Sequence, residues 1–134
     1  MNPIVLPELR YRKLWLSIGI VLLLAITFVC LLPSKDLPDL SLSDKTEHIL
    51  AFGALTFWFA SIVVRRDIPW VGIAVVMFGG AIEIAQSEMG WGRQGDWYDL
   101  AADTIGVTLG VVLVLTPLGH WARWFEAKVT KARP

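Results

Sequence analysis

The sequence is poor in charge and in cysteine. Of its 134 residues, 18% are charged and 55% are hydrophobic, and 12 basic side chains balance 12 acidic ones. This composition is too apolar for a soluble fold of this size and lacks the basic excess of a nucleic-acid-binding protein. The single cysteine, Cys30, excludes an internal disulfide and is expected to pack within an apolar helix. No repeat, low-complexity tract or cofactor motif is present.

The sequence is instead rich in long hydrophobic runs. Four largely apolar segments cover about residues 14–32, 46–64, 68–86 and 100–118. A helix rises about 1.5 Å per residue, so each segment spans about 28 Å, close to the thickness of a bilayer's hydrocarbon core. We therefore predict an all-α membrane protein with four transmembrane helices. The link at 65–67 is so short that the second and third helices must be antiparallel neighbours.

The start of the chain also shares features with a secretory signal peptide, because three bases, Arg10, Arg12 and Lys13, precede the first apolar segment. That segment is longer than the usual ~7–15 residues of a signal peptide, and no small-x-small cleavage site follows it. We therefore expect a retained membrane helix. The predicted regions are an N-terminal segment at 1–13, a membrane domain at 14–118 and an interfacial tail at 119–134, where Trp121, Trp124 and Phe125 share a face.

The distribution of charge predicts the orientation. Cytoplasmic termini place nine bases inside, as the positive-inside rule favours: Arg10, Arg12, Lys13, Arg65, Arg66, Arg123, Lys128, Lys131 and Arg133. Both termini are therefore predicted to be cytoplasmic. The same arrangement places nine carboxylates outside: Asp36, Asp39, Asp44, Glu47, Glu83, Glu88, Asp96, Asp99 and Asp103. We expect any unusual chemistry at this acidic, extracytoplasmic side.

Glu83 is the most unusual of these acids. It lies near the C-terminal end of the third helix, where the helix dipole disfavours a carboxylate, so capping does not explain it. Gln86 follows one turn later on the same face. By contrast, Asp44 and Glu47, like Asp96 and Asp99, are near helix N-termini, and helix capping remains an alternative role for all four.

Three helices direct paired polar groups to the same level. Asp44 and His48 share a face of the second helix, and Asp99 and Asp103 share a face of the fourth. Lipid offers no partners, so these groups are expected to point into the bundle together with Glu83. A hydrogen-bonded packing network is the alternative to a functional site. Below Asp103, the GVTLG pattern of Gly106 and Gly110 permits close helix packing.

At these residues the sequence resembles the VanZ-like family of small multi-pass bacterial membrane proteins. The resemblance covers about residues 44–115 and rests on DKTEHILAF, EIAQ and a spaced run: Arg93, Asp96, Asp99, Asp103, Gly106 and Gly110. Glu47 stands where an apolar residue is common, and Asp103 where asparagine is usual. The resemblance implies a membrane fold and a link to envelope phenotypes or to resistance against the glycopeptide teicoplanin. It implies no accepted reaction.

These observations predict a site for a membrane lipid or lipid-linked envelope intermediate in the outer leaflet of a bacterial cell membrane. The candidate catalytic residues are Glu83, His48 and Asp99, acting on an activated water, because no serine or cysteine nucleophile lies in a recognisable motif. The candidate ligand-binding residues are Asp44, Lys45, Gln86, Arg93, Asp96 and Asp103. Whether the chain is an enzyme is left open.

Three alternatives accompany this prediction. No metal site and no cofactor are predicted, because no tightly spaced ligand motif is present, although a divalent ion held by His48, Asp99 and Asp103 is an alternative. A non-catalytic interaction or assembly protein, in which Glu83 pairs with Arg93 for structure and the outer loop engages a protein partner, is the second function class. Ion conduction is not favoured, because four short helices leave little room for a pore.

Overall fold

Five α-helices form most of the protein in a computed structural model that describes residues 4–33, 42–89 and 95–131. They are α1 (Arg12–Leu31), α2 (Asp44–Ile62), α3 (Ile68–Met89), α4 (Trp97–Leu115) and α5 (Trp121–Lys131), with 3-10 turns at Arg65–Asp67 and Pro117–His120. Within the described ranges no strand forms, and the β pairing is an isolated bridge between Val5 and Val63. The predicted all-helical class is confirmed.

Among the described residues, three stretches of helix are long and apolar enough to cross a membrane: Arg12–Leu31, Arg65–Met89 and Trp97–Leu115. They correspond to the first, third and fourth predicted spans. The second predicted span forms a helix of 19 residues, α2. It is not among these three, and its first turn carries Asp44, Lys45 and Glu47.

Local chemistry explains where the helices begin and end. Ser43 caps α2 by accepting a hydrogen bond from the backbone N–H of Thr46, and Asp96 caps α4 by accepting one from Tyr98. The capping role is therefore confirmed for Asp96, whereas the cap of α2 is a serine. Helix α4 ends before the predicted limit at 118, because Thr116 takes the extended conformation that a following proline, Pro117, favours. Helix α3 continues past its predicted end to Met89.

Helix α2 packs against α1, α3 and α4, and most extensively against α4. Glycines allow this closest contact. A Cβ atom on Gly110 would lie 2.7 Å from the carbonyl oxygen of Gly53, and one on Gly106 would overlap the carbonyl oxygen of Ile49. Because no side chain separates the two backbones there, the packing role predicted for the GVTLG pattern is confirmed.

A hydrophobic cluster closes the end of the bundle where α1 begins. Trp15 and Leu9 pack there with buried residues from α2, α3, α4 and α5, and the ring of Trp121 lies edge-on to that of Trp15 at 5.2 Å. The segment before α1 is fixed by backbone hydrogen bonds from Leu6 N to Ile62 O and from Val64 N to Ile4 O, both 2.9 Å. The predicted tail therefore forms a helix that packs on the bundle through Trp121.

Glu126 on α5 holds the first turn of α1. Its carboxylate accepts hydrogen bonds from the backbone N–H groups of Arg10 (2.7 Å) and Tyr11 (2.9 Å) and from the indole Nε1 of Trp15 (2.6 Å). Burial opposes ionisation, but these three bonds outweigh it and lower the pKa of Glu126. Helix α1 has no side-chain cap of its own, so Glu126 satisfies N–H groups that are otherwise unpaired at a helix start.

The outer surface of the bundle is apolar. In α1 the buried residues are Trp15, Gly19 and Cys30, whereas Val21 is 65% exposed and Phe28 is 66% exposed. A helix that is hydrophobic all round and exposes this much apolar surface suits a lipid environment. The structure thus supports assignment to the class of membrane proteins.

Candidate functional site

Buried polar side chains gather at the end of the bundle formed by the first turns of α2 and α4 and the last turns of α3, which we call the polar end. They come from all three helices, and each is at most 7% exposed: His48, Glu83, Gln86, Asp99 and Asp103. One ligand atom from each of His48, Glu83 and Asp103 lies within 4.8 Å of the others. The structure therefore brings together the helices that the sequence predicts to meet there.

His48 and Asp103 form the buried centre of the polar end. Nδ1 of His48 lies 2.8 Å from Oδ1 of Asp103, and the imidazole stacks nearly parallel to the ring of Phe52, with 6.0 Å between centroids. These two contacts fix the position and the plane of the imidazole. The second oxygen, Oδ2 of Asp103, is buried and has no hydrogen-bond partner in the described part of the chain.

Glu83 links α3 to the start of α4. Its Oε2 atom accepts a hydrogen bond of 2.8 Å from the backbone N–H of Asp96, and its other oxygen, Oε1, is buried without a partner among the described residues. Gly95 permits this approach, because a Cβ atom there would lie 2.5 Å from the carbonyl oxygen of Glu83. The carboxylate thus has one oxygen committed to structure and one available.

Lys45 pairs with two acids at the rim. Its Nζ atom lies 2.9 Å from Oδ2 of Asp96 and also contacts Oδ1 of Asp99. The backbone N–H of Tyr98 and then the Lys45 ammonium lower the pKa of Asp96. Lys45 is 43% exposed in its side chain, whereas Asp99 is 7% exposed. Lys45 and Asp96, both predicted to bind a ligand, therefore form an ion pair with each other.

Gln86, which the sequence groups with Glu83 on one face of α3, links that helix to α1. Its Nε2 atom donates a hydrogen bond of 2.7 Å to the backbone carbonyl of Cys30, near the C-terminus of α1. The last turns of α1 and α3 therefore lie beside each other. Asp44 lies at the exposed rim of α2. Arg93, the remaining predicted ligand residue, and its predicted pairing with Glu83 lie outside the described residues.

Two cavities flank the polar end. The first, of about 210 Å³, is a groove between α1 and α2, which we call the α1–α2 groove. One wall is apolar, from α1, and the other carries polar groups of α2: Ala25, Ile26, Val29, Cys30, Asp44, Glu47, His48 and Ala51. The second, of about 230 Å³, lies between α3 and the start of α4 and is lined by Glu83, Asp96 and Trp97, among others. Each cavity thus reaches a different member of the buried polar group.

The geometry fits some chemical roles better than others. An imidazole held by a carboxylate is the arrangement that orients a histidine for proton transfer. Ser87 is the serine nearest in sequence to this group, and its hydroxyl donates to the carbonyl of Ile84. Proton transfer to or from a bound molecule is therefore within the reach of His48, whereas no nucleophile is activated by it in the described ranges.

Three features of the site were not predicted from the sequence. Lys45 neutralises two acids rather than standing free for a ligand, the α1–α2 groove adds a wall from the first helix, and Gly79 makes room for Asp103. The role of Gly79 could have been predicted from the sequence, because Gly79 precedes Glu83 by four residues and shares its helix face. The groove could not, because it depends on how α1 crosses α2.

Comparison with known proteins finds no matching family model, no similar curated protein and no similar solved structure.

Proposed function

We propose that this chain is a VanZ-like integral membrane protein that binds a lipid or lipid-linked envelope intermediate at its polar end. In this proposal the chain crosses the bacterial cell membrane four times, with both termini in the cytoplasm and the polar end on the extracytoplasmic side. The positive-inside distribution of Lys and Arg supports this orientation. The resemblance over residues 44–115 supports the family and a role in glycopeptide resistance or envelope homeostasis.

The α1–α2 groove is the observation that carries the proposal. Its α1 wall is made of Ala25, Ile26 and Val29, which suit an acyl or isoprenoid chain, and its α2 wall places His48 beside that chain. An amphiphile needs this combination, an apolar channel open to the lipid that ends at buried polar groups. A volume of about 210 Å³ admits part of a chain or a small head group, not a whole lipid.

The second helix supports the four-span arrangement. Its charged residues and His48 are confined to the first turns, and from Phe52 to Ile62 every residue except Ala54 is buried or half-buried. A helix surrounded by three other helices needs less hydropathy than one that faces lipid. The polar first turns of α2 then mark the membrane surface at the polar end.

In this proposal the polar residues have separate roles. His48, oriented by Asp103, accepts or donates a proton, and Glu83 offers a second carboxylate oxygen, Oε1, to the head group or to a water molecule. Asp99 pairs with the Lys45 ammonium at the rim. Binding alone requires only the groove and these polar groups, so turnover is tested separately from binding.

Native mass spectrometry of protein released from gently solubilised membranes tests the groove. A tryptophan at Ala25, A25W, fills it, whereas V21W adds the same ring one turn away, at a 65% exposed position that does not line the groove. We expect the wild type and V21W to retain one defined lipid species and A25W to lose it. Equal, nonspecific lipid in all three proteins would contradict the lipid site.

The polar half of the site needs its own pair of variants. Glu83→Gln removes the buried charge, and Glu88→Gln makes the same change at an exposed position of the same helix. We expect Glu83→Gln to lose the lipid at normal membrane abundance, whereas Glu88→Gln keeps it. Teicoplanin susceptibility of cells that express each variant then tests whether lipid retention and resistance change together.

A non-catalytic interaction or assembly protein is the second candidate function. The observation that favours it is the amount of internal pairing at the polar end, where Lys45 bonds to Asp99 and His48 to Asp103. A purely structural network loses function only as it loses folded protein. If Glu83→Gln lowers abundance and function in proportion, and A25W has no effect, the assembly role replaces the lipid site.

A further inference from the structure

We propose that His48, Glu83 and Asp103 bind a divalent first-row transition-metal ion, with Zn²⁺ as the ion of choice. The three residues come from α2, α3 and α4, and all are buried, with exposures of 5%, 7% and 0%. One donor atom of each lies within 4.8 Å of the others, so small side-chain movements bring all three within the ~2.0–2.2 Å bond lengths of one Zn²⁺ ion. This inference stands independently of lipid binding.

The two carboxylates each have an oxygen with no hydrogen bond. Oε1 of Glu83 and Oδ2 of Asp103 are buried and have no partner within the described ranges. Their other oxygens are already used, by the backbone N–H of Asp96 and by His48. Buried polar atoms of native proteins are almost always satisfied, so two such oxygens beside one histidine indicate a missing partner.

Charge gives a second reason for a cation. Once deprotonated, as carboxylate ligands are, Glu83 and Asp103 place two negative charges in a buried region. Among the described residues, the nearby Lys45 is committed to Asp96 and Asp99. A divalent ion balances the two carboxylates, whereas a bound anion adds to their repulsion. The ion would also give the polar end a positive centre that an anionic head group can approach.

A glycine lets the carboxylate of Asp103 approach α3. A Cβ atom on Gly79 would lie 2.5 Å from Oδ2 of Asp103 and 3.1 Å from the ring of Phe52. The carboxylate of Asp103 therefore turns toward α3, on the face where Glu83 follows one turn later. His48 is held in place by its stacking on Phe52, so each donor is fixed by its own helix before an ion arrives.

The donor set selects the kind of ion. Imidazole nitrogen with carboxylate oxygen suits Zn²⁺ and its first-row neighbours, whereas Mg²⁺ prefers oxygen donors and retained waters. Three protein ligands leave a position for water or for an oxygen of a bound molecule, as in catalytic zinc sites. A second group of possible ligands, Asp44, His48 and Asp99, is less suitable because Asp99 is paired with Lys45.

Equilibrium dialysis of purified, tag-free, chelator-stripped protein tests the site, with bound metal counted by elemental analysis. We expect one Zn²⁺ per chain, bound at least about tenfold more tightly than Mg²⁺. Glu83→Gln and Asp103→Asn should weaken Zn²⁺ binding by at least about tenfold, whereas Glu88→Gln, at an exposed position of α3, should leave it unchanged. The absence of a stoichiometric ion, or equal binding by all variants, overturns the proposal.

A second measurement does not depend on variants of the buried carboxylates. The chain has two histidines, and His120 is exposed at the far end of the bundle, so His120→Asn leaves His48 as the sole imidazole. Pulsed electron paramagnetic resonance of Cu²⁺ bound to that variant should show modulation from an imidazole nitrogen. A bound ion without this modulation, or no bound ion, overturns the assignment even if lipid retention is normal.

Discussion

Gly79 on α3 makes the space that Asp103 on α4 occupies, because a Cβ atom on the glycine would lie 2.5 Å from Oδ2 of the aspartate. The relationship joins a residue without a side chain to a carboxylate that is fully buried. The position of the Asp103 carboxylate therefore depends on the absence of a side chain at Gly79 on the neighbouring helix.

The substitution Gly79→Ala should therefore displace Asp103 and strain the polar end. We expect it to lower the free energy of unfolding by about 1–3 kcal/mol, as overpacking of a filled interior does. Denaturant or detergent-driven unfolding of the purified protein measures the change. The neighbouring Gly80→Ala is the control, because no atom of the described residues lies within 4 Å of a Cβ atom there. Equal effects of the two substitutions would show that Asp103 does not need the space.

The contact between α2 and α4 predicts a second sensitive glycine. In Gly106→Ala the new methyl group meets the backbone carbonyl of Ile49, which cannot rotate away as a side chain can. The two helices must separate, and we expect a loss of about 1–3 kcal/mol in the free energy of unfolding. The same unfolding assay applies, and Gly80→Ala again shows what an added methyl group costs without a contact. A neutral Gly106→Ala would mean that the helices are not packed this closely.

The ion pair between Lys45 and Asp99 should contribute modestly to stability. Lys45→Met leaves the carboxylate of Asp99, 7% exposed, without its cation. We expect a cost of about 1–2 kcal/mol, less than for a fully buried pair, because water screens an ammonium that is 43% exposed. A double-mutant cycle with Asp99→Asn isolates the interaction. Lys13→Met, which removes an exposed charge at the other end, should be neutral, and a coupling near zero would contradict the pair.

Glu126 predicts a dependence of stability on pH. The pKa of Glu126 is lower in the folded chain than its ordinary value of 4.5, so the unfolded chain binds the proton first. Its contribution is complete above that ordinary value and is lost as the pH falls through the lower, folded-state pKa. At neutral pH we expect Glu126→Gln to cost about 1–3 kcal/mol, as the loss of charge-assisted hydrogen bonds does.

Melting temperatures measured from pH 7 to pH 3 test this sign. The difference between wild type and Glu126→Gln should be largest at neutral pH and should shrink below about pH 4.5. Glu8→Gln serves as the control, because Glu8 is exposed on the same terminal segment. A difference that grows on acidification would refute the role given to the ionised carboxylate.

The sequence was a good guide to the helices because hydrophobic runs and helix breakers are local properties. The apolar segments locate α1, α3 and α4, and Pro117 explains the end of α4 that hydropathy alone placed too late. Hydropathy is least informative for α2, whose first turn carries Asp44, Lys45 and Glu47. Four membrane crossings, their orientation and the family resemblance remain predictions.

The candidate site was partly predictable because helical spacing, like hydropathy, is a local property of the sequence. Helical spacing puts Asp99 and Asp103 on one face, and it also pairs Glu83 with Gln86. Spacing cannot say which neighbour each side chain meets, and Gln86 in fact bonds to the backbone of α1 through Cys30. The pairing of Lys45 with Asp96 joins residues that are 51 positions apart, and it depends on the angle between α2 and α4.

The bonds of Glu126 also set an order of events during synthesis. The carboxylate reaches back across 116 positions to the N–H of Arg10, so 116 residues must be added after Arg10 before the start of α1 acquires its partner. Until then, the N–H groups of Arg10 and Tyr11 lack these two bonds. Helix α5, made after the four longer helices, is thus the one that fixes the start of the first.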